Sequence, residues 1–175
     1  MDMQNVLCRK AGMADYEAAY AILREAAKRM VQLGRNQWDE NYPQKDDVLN
    51  DISGGDAYVL EMCGKVVAYG VVSFDGEPAY DALCEGKWLS AGPYAVVHRM
   101  AVALSVRQHG LGVRFFETVE EMCRRNKVNS IKVDTNYDNV EMLGLLSGLG
   151  YVMCGKVYYD RDGGRIERLA FEKIL

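Results

Sequence analysis

One stretch limits the possible folds more than any other. Val96-Val97-His98-Arg99-Met100-Ala101-Val102 leads through a short link to Arg107-x-x-Gly110-x-Gly112, then to a run with Val113, Phe116, Val119 and Cys123 at helical spacing. The first segment is rich in β-branched and apolar residues and predicts a strand, and the last predicts an amphipathic helix. Glycines at the join let backbone N–H groups approach a ligand, because no side chain blocks them. A helix start beside them adds unpaired donors and the positive end of the helix dipole. The combination suits a pyrophosphate. A glycine-rich helix entry that only packs tightly would use the same residues, and the flanking strand and helix favour the ligand role. Two other phosphate binders fit less well. The dinucleotide fingerprint needs a third glycine where Phe115 stands, and a P-loop needs a Gly-Lys-Ser/Thr ending that is absent.

The rest of the chain supplies the frame. A strand over 5–9 precedes a helix with Tyr16, Tyr20, Leu23, Ala27 and Met30 on one face, ending near Gly34. Residues 35–43 are aromatic, polar and aperiodic, and read as a loop; a short helix over 46–52 closes at Gly54-Gly55. Strands over 57–62 and 65–74 flank the turn Cys63-Gly64, and 75–92 reads as a loop before a strand over 94–102. After the motif helix come a strand over 130–135, a helix over 139–147 and a strand from Gly150-Tyr151. A final hairpin turns at Asp162-Gly163-Gly164. The order β-α-α-β-β-β-α-β-α-β-β predicts a mixed α/β (α+β) domain, with a mostly antiparallel sheet and parallel strands only at its one strand-helix-strand crossover. No linker divides the chain, so a single domain over 1–175 is expected.

Charge and cysteine content narrow the function. With 21 basic against 25 acidic residues, the net charge of −4 lacks the basic footprint of a nucleic-acid binder. Arg124-Arg125-Asn126-Lys127 falls at a helix C-terminus, where cations complement the dipole. Five scattered cysteines form no Cys-x-x-Cys pair, so neither a disulfide scaffold nor a metal site is expected. No apolar run approaches the roughly 20 residues that cross a bilayer. The first residues lack a secretory pattern, and the expected compartment is the cytoplasm.

On these residues the chain resembles the GCN5-related N-acetyltransferase (GNAT) superfamily. The resemblance also rests on Asp134-Thr135-Asn136 running into Asn139-x-x-Met142, and on the helix-to-strand junction Gly148-Leu149-Gly150-Tyr151. It implies the GNAT fold, helices flanking a sheet whose central parallel strands splay around coenzyme A. It implies an N-acetyltransferase that moves the acetyl group of acetyl-CoA directly to a primary amine of a small molecule or peptide, without metal, nucleic acid or membrane. Homodimers are common in the superfamily. By the same resemblance, Met100 and Val102 offer backbone groups to the pantetheine arm and the thioester. Arg107, Gln108, His109, Gly110, Leu111, Gly112 and Val113 form the pyrophosphate loop, and Asn139 contacts the pantetheine.

His98 is the candidate general base. Strand residues two apart share a face, which would set it beside Met100 and Val102, and an ordinary histidine titrates near neutrality. A structural histidine held by one backbone bond fits the position equally well. Many relatives carry a proton-donating tyrosine where this chain has Leu146, so the acid is unassigned; Tyr137, Tyr151, Tyr158, Tyr159 or water are the substitutes. Trp38 and Tyr42 lie where the family's first two helices flank the acceptor, with Asp39 and Glu40 beside them, although Trp38 would equally cap the core. The alternative from another class is a non-catalytic acyl-CoA-binding module.

Overall fold

The computed structural model describes residues 6–107, 110–161 and 164–175. Its elements, in order, are β1 (Val6–Lys10), α1 (Tyr16–Gln32), α2 (Lys45–Gly54), β2 (Ala57–Met62), β3 (Lys65–Ser73), β4 (Ala95–Val102), α3 (Leu111–Arg125), β5 (Ser130–Thr135), α4 (Val140–Gly148), β6 (Val152–Arg161) and β7 (Gly164–Ile174). The seven strands form a sheet in the order β1-β2-β3-β4-β5-β7-β6. Pairs β1–β2, β2–β3, β5–β7 and β6–β7 are antiparallel, while β4–β5 is parallel. This is the mixed, mostly antiparallel α/β sheet that the element order predicts. No helix among the described residues is long and apolar enough to cross a membrane.

Two compact units share the chain, one drawn from Met1–Val72 and His98–Val119, the other from Ser73–Val97 and Glu120–Leu175. Strand β4 runs through both. In the first unit, α1 buries Ala19, Ile22, Leu23 and Ala27, the three-to-four spacing visible in sequence. They pack with Trp38, Val48, Val59, Tyr69 and Ala101. Asp15 holds the β1–α1 turn: it accepts two bonds from Arg9 at 2.7 and 2.8 Å and one from the Gly12 N–H. A capping box opens α2, with the Gln44 N–H donating to Asp47 at 2.6 Å. On β3, a Cβ at Gly70 would lie 2.4 Å from the Phe115 ring, so only glycine lets α3 settle this close.

The second unit corrects the loop expected over 75–92. Pro78–Ala82 forms a short 3-10 helix, and Cys84 bridges to Lys156 on β6. The Trp88 indole donates to the Tyr80 carbonyl at 2.8 Å, and the Leu89 N–H donates to Glu172. A segment without periodicity is here held by polar bonds to a sheet rather than by an apolar stripe. The predicted elements otherwise match within two residues. Asn5 and the hairpin turn Asp162-Gly163 lie outside the described residues.

Candidate functional site

The parallel register of β4 with β5 covers Ala95↔Ile131, Val96↔Lys132 and Val97↔Val133, and ends there. Two residues further on, Arg99 has φ +48, a left-handed backbone inside a strand. Strict alternation of faces holds only for extended residues. Arg99 interrupts it between His98 and Met100, so pleating alone no longer sets His98 on the face of Met100. His98, Met100 and Val102 are all half-buried.

The Arg99 side chain turns into the first unit. Its Nε donates to Asp51 Oδ2 at 2.8 Å, a second nitrogen donates to Asp51 Oδ1, and a third donates to the Tyr42 hydroxyl at 2.9 Å. The Tyr69 hydroxyl donates to Asp51 Oδ2 at 2.7 Å. Burial alone would lower the pKa of the Arg99 guanidinium, but the bonds and charge of Asp51, with Tyr42, outweigh it and hold the arginine cationic. Burial, then the Asp51 charge, push the Tyr69 phenol well up, so it stays a donor.

Beyond β4, the Ala103 N–H donates to Val67 and the Leu104 N–H donates to Glu25 Oε2 at 3.0 Å, fixing the link to β3 and α1. A 3-10 turn over Leu104–Val106 leads to Arg107. Gly110 has φ +75, which admits glycine at no steric cost, and its carbonyl accepts the first α3 bond from Arg114 at 2.9 Å. Leu111 is buried and Val113 is exposed. The first unit thus brings together Met100, Val102, Arg107, Gly110, Leu111, Gly112, Val113 and Tyr42 on consecutive or bonded segments. Gln108 and His109 lie outside the described residues. Trp38 is 5% exposed and packs in the core, so little of its ring is offered to an acceptor.

Asn139 belongs to the second unit, where its Oδ1 caps α4 by accepting from the Met142 N–H at 3.2 Å. Leu146 is fully buried in α4. Of the substitute acids, Tyr158 donates to Glu167, Tyr137 is exposed and Tyr151 is buried. Tyr159 shares Asp134 Oδ1 with Tyr80, at 2.7 and 2.8 Å. Burial, then the charge of Asp134, push the Tyr80 phenol well up. Among the described residues no cluster of His, Cys, Asp and Glu could hold a metal ion.

Sequence reasoning missed Arg99 and Asp51. A signal existed for both. Arg99 is a fixed charge in an otherwise apolar run, and Asp51 follows Val48 by one helical turn, which puts a carboxylate on the buried face of α2.

Comparison with known proteins sets this arrangement in context. Residues 18–170 match the acetyltransferase (GNAT) family. A GNAT-family acetyltransferase from Streptococcus agalactiae is 32% identical with a TM-score of 0.85, covering 100% of this chain and 98% of that one. At fold level only, a ribosomal-protein-alanine N-acetyltransferase from Brucella melitensis superposes with TM-score 0.68 at 21% identity, over 97% of this chain and 99% of that one. A Salmonella typhimurium structure with its cofactor acetyl-CoA gives 0.66 at 17% identity, over 98% and 94%. No curated protein matches the chain.

Proposed function

The chain belongs to the acetyltransferase (GNAT) family, and from that premise we propose that it transfers the acetyl group of acetyl-CoA to a primary amine of a small molecule or peptide. The observation that carries the proposal is the join of β4 to α3, where a left-handed glycine, Gly110, opens a 15-residue helix. A backbone so turned presents N–H groups and the positive helix end to an anion without a lysine cluster.

In this reading Arg107 to Val113 hold the pyrophosphate, and the backbone of Met100 and Val102 holds the pantetheine and thioester. Asn139, whose Oδ1 caps α4, is proposed to contact the pantetheine. Acetyl-CoA supplies the activated acyl group. The chain's own tasks are to orient the thioester, to take a proton from the amine and to admit the acceptor. His98 is proposed as the base and Tyr42, backed by the buried Trp38, as the acceptor wall. The Arg99–Tyr42 bond supports the last assignment, because it ties the loop before α2 to the motif strand.

Isothermal titration with acetyl-CoA, CoA and ATP tests the reading. CoA and acetyl-CoA should bind and ATP should not; absence of CoA binding sinks it. Gly110→Ala should weaken CoA binding about tenfold, since a left-handed alanine costs roughly 1–2 kcal/mol. With an amine panel, thiol release should follow a pH profile that His98→Ala alters, and an unchanged profile removes His98 as base. The buried Leu146, at the position of the family's usual tyrosine, favours a second reading as a non-catalytic acyl-CoA-binding module. Binding without thiol release across the panel would select it.

A further inference from the structure

We propose that Arg99 and Asp51 are positioning residues for the acetyl-CoA reaction. Their ion pair, a half-buried guanidinium on a buried carboxylate, holds Arg99 in the left-handed region and thereby aims the Met100 N–H at the thioester carbonyl. The inference rests on the acetyl-CoA reading above.

It begins with the backbone. Arg99 is a left-handed, non-glycine residue inside β4, and a Cβ makes that conformation unfavourable. Strain of this kind persists only where the surroundings over-determine it. Here three elements do so: Asp51 from α2, Tyr42 from the loop before α2, and Tyr69 from β3 through Asp51. Two charge-assisted bonds to Asp51 hold the side chain where only this backbone can deliver it.

Stability alone does not account for the pair. A buried ion pair is often neutral or unfavourable against apolar residues of the same size. If the turn were all that mattered, glycine would take this φ at no steric cost. An arginine locked by three acceptor contacts does something glycine cannot: it fixes the dihedral and ties it to neighbouring elements. A left-handed residue inside a strand turns the following peptide out of the regular ladder, as at a β-bulge. The peptide that follows Arg99 carries the Met100 N–H, one of the backbone groups that the acetyl-CoA reading gives to the pantetheine and thioester.

The test uses the full chain saturated with carbonyl-labelled acetyl-CoA and reads the isotope-edited infrared band of the bound thioester. In the native protein the band should move to lower frequency than in free acetyl-CoA. Arg99→Ala/Asp51→Asn, which leaves no unpaired buried charge, should bind acetyl-CoA within about threefold of native while its band returns to the free position. Arg99→Gly/Asp51→Asn should keep the native shift, because glycine adopts the left-handed backbone unaided. An alanine variant that keeps the native band, or a glycine variant no better than alanine, overturns the proposal. Should either double variant fail to fold, Arg99→Lys decides: it keeps the cation but loses the planar fork, so its shift should shrink, and a native shift overturns the claim. Native protein that does not bind acetyl-CoA refutes the functional reading itself. Native protein that binds with an unshifted band refutes only the positioning role.

Discussion

Two buried carboxylates, one from each unit, are satisfied in opposite ways. Asp51, in the first unit, meets a full guanidinium and a phenol, and the arginine that supplies the charge has a strained backbone. Glu172, fully buried in the second unit, accepts from the Leu89 N–H, from both the N–H and hydroxyl of Ser90, and from the Ser130 hydroxyl at 2.6 Å. Its paired residue across β5–β7 is Lys132, whose ammonium sits over Trp88 and Tyr94 at 4.3 and 3.8 Å from their ring centres. None of these partners has a left-handed backbone. Glu172 pins an irregular segment onto a sheet; Asp51 pins a distortion into a strand. A buried charge that relieves no strain reads as architecture, and one that sustains strain beside a reactive position reads as function.

The sharpest way to break that distinction is to delete Glu172. Glu172→Ala strands four donors and removes the strongest opposing charge from Lys132, a change expected to cost about 3–5 kcal/mol. For a chain of this size the melting temperature should fall by roughly 10 °C. Below that transition, acetyl-CoA affinity by titration should match native. A variant that melts normally yet loses affinity would erase the contrast between the two carboxylates.

The converse experiment removes the first cluster as a set. Arg99→Met/Asp51→Leu/Tyr69→Phe replaces every charge and the phenol by apolar groups of similar size. Thermal unfolding should place it within about 2 kcal/mol of native, because the pair is removed whole and only the half-buried Tyr42 hydroxyl loses a partner. The bound thioester band should nonetheless revert to that of free acetyl-CoA. A large loss of stability would show that Asp51 is as architectural as Glu172.

The contrast also explains what could be read from the sequence. The strand-glycine-helix join was legible because it needs particular residue types at fixed spacing: Gly110 stands where φ is positive, and α3 follows at once. The hairpin at Cys63-Gly64 was legible for the same reason, with φ +51 and +72. Arg99 shows in the sequence only as a charge within an apolar run, and nothing in composition marks the backbone strain of a non-glycine residue. Its partner Asp51 is 48 residues away, too far for any local pattern to connect them. Residues 75–92 read as a loop, and its 3-10 turn and its polar anchors on Lys156 and Glu172 escaped because no periodicity announces them.

Lys132 gives the smallest and most discriminating effect. Burial lowers its pKa, opposed by the charges of Glu172, Cys154 and Asp81, so the folded state holds the ammonium less readily than the unfolded chain does. Between that lowered value and the unfolded value of 10.5, the unfolded chain carries more protons, and stability rises with pH. Below the folded pKa the ammonium's burial is a constant cost, offset by up to about 2 kcal/mol of attraction to the two rings. Lys132→Met should therefore change stability by no more than about 1 kcal/mol near neutral pH. Comparing denaturant unfolding near pH 7 and near pH 10, the native protein should gain on the variant at the higher pH. Burial raises the Tyr80 phenol in both proteins, so its titration cancels in the difference. A native protein that instead loses ground to the variant at high pH would mean that Lys132 is held charged by Glu172. The second cluster would then be an ion pair like the first, distinguished only by its relaxed backbone.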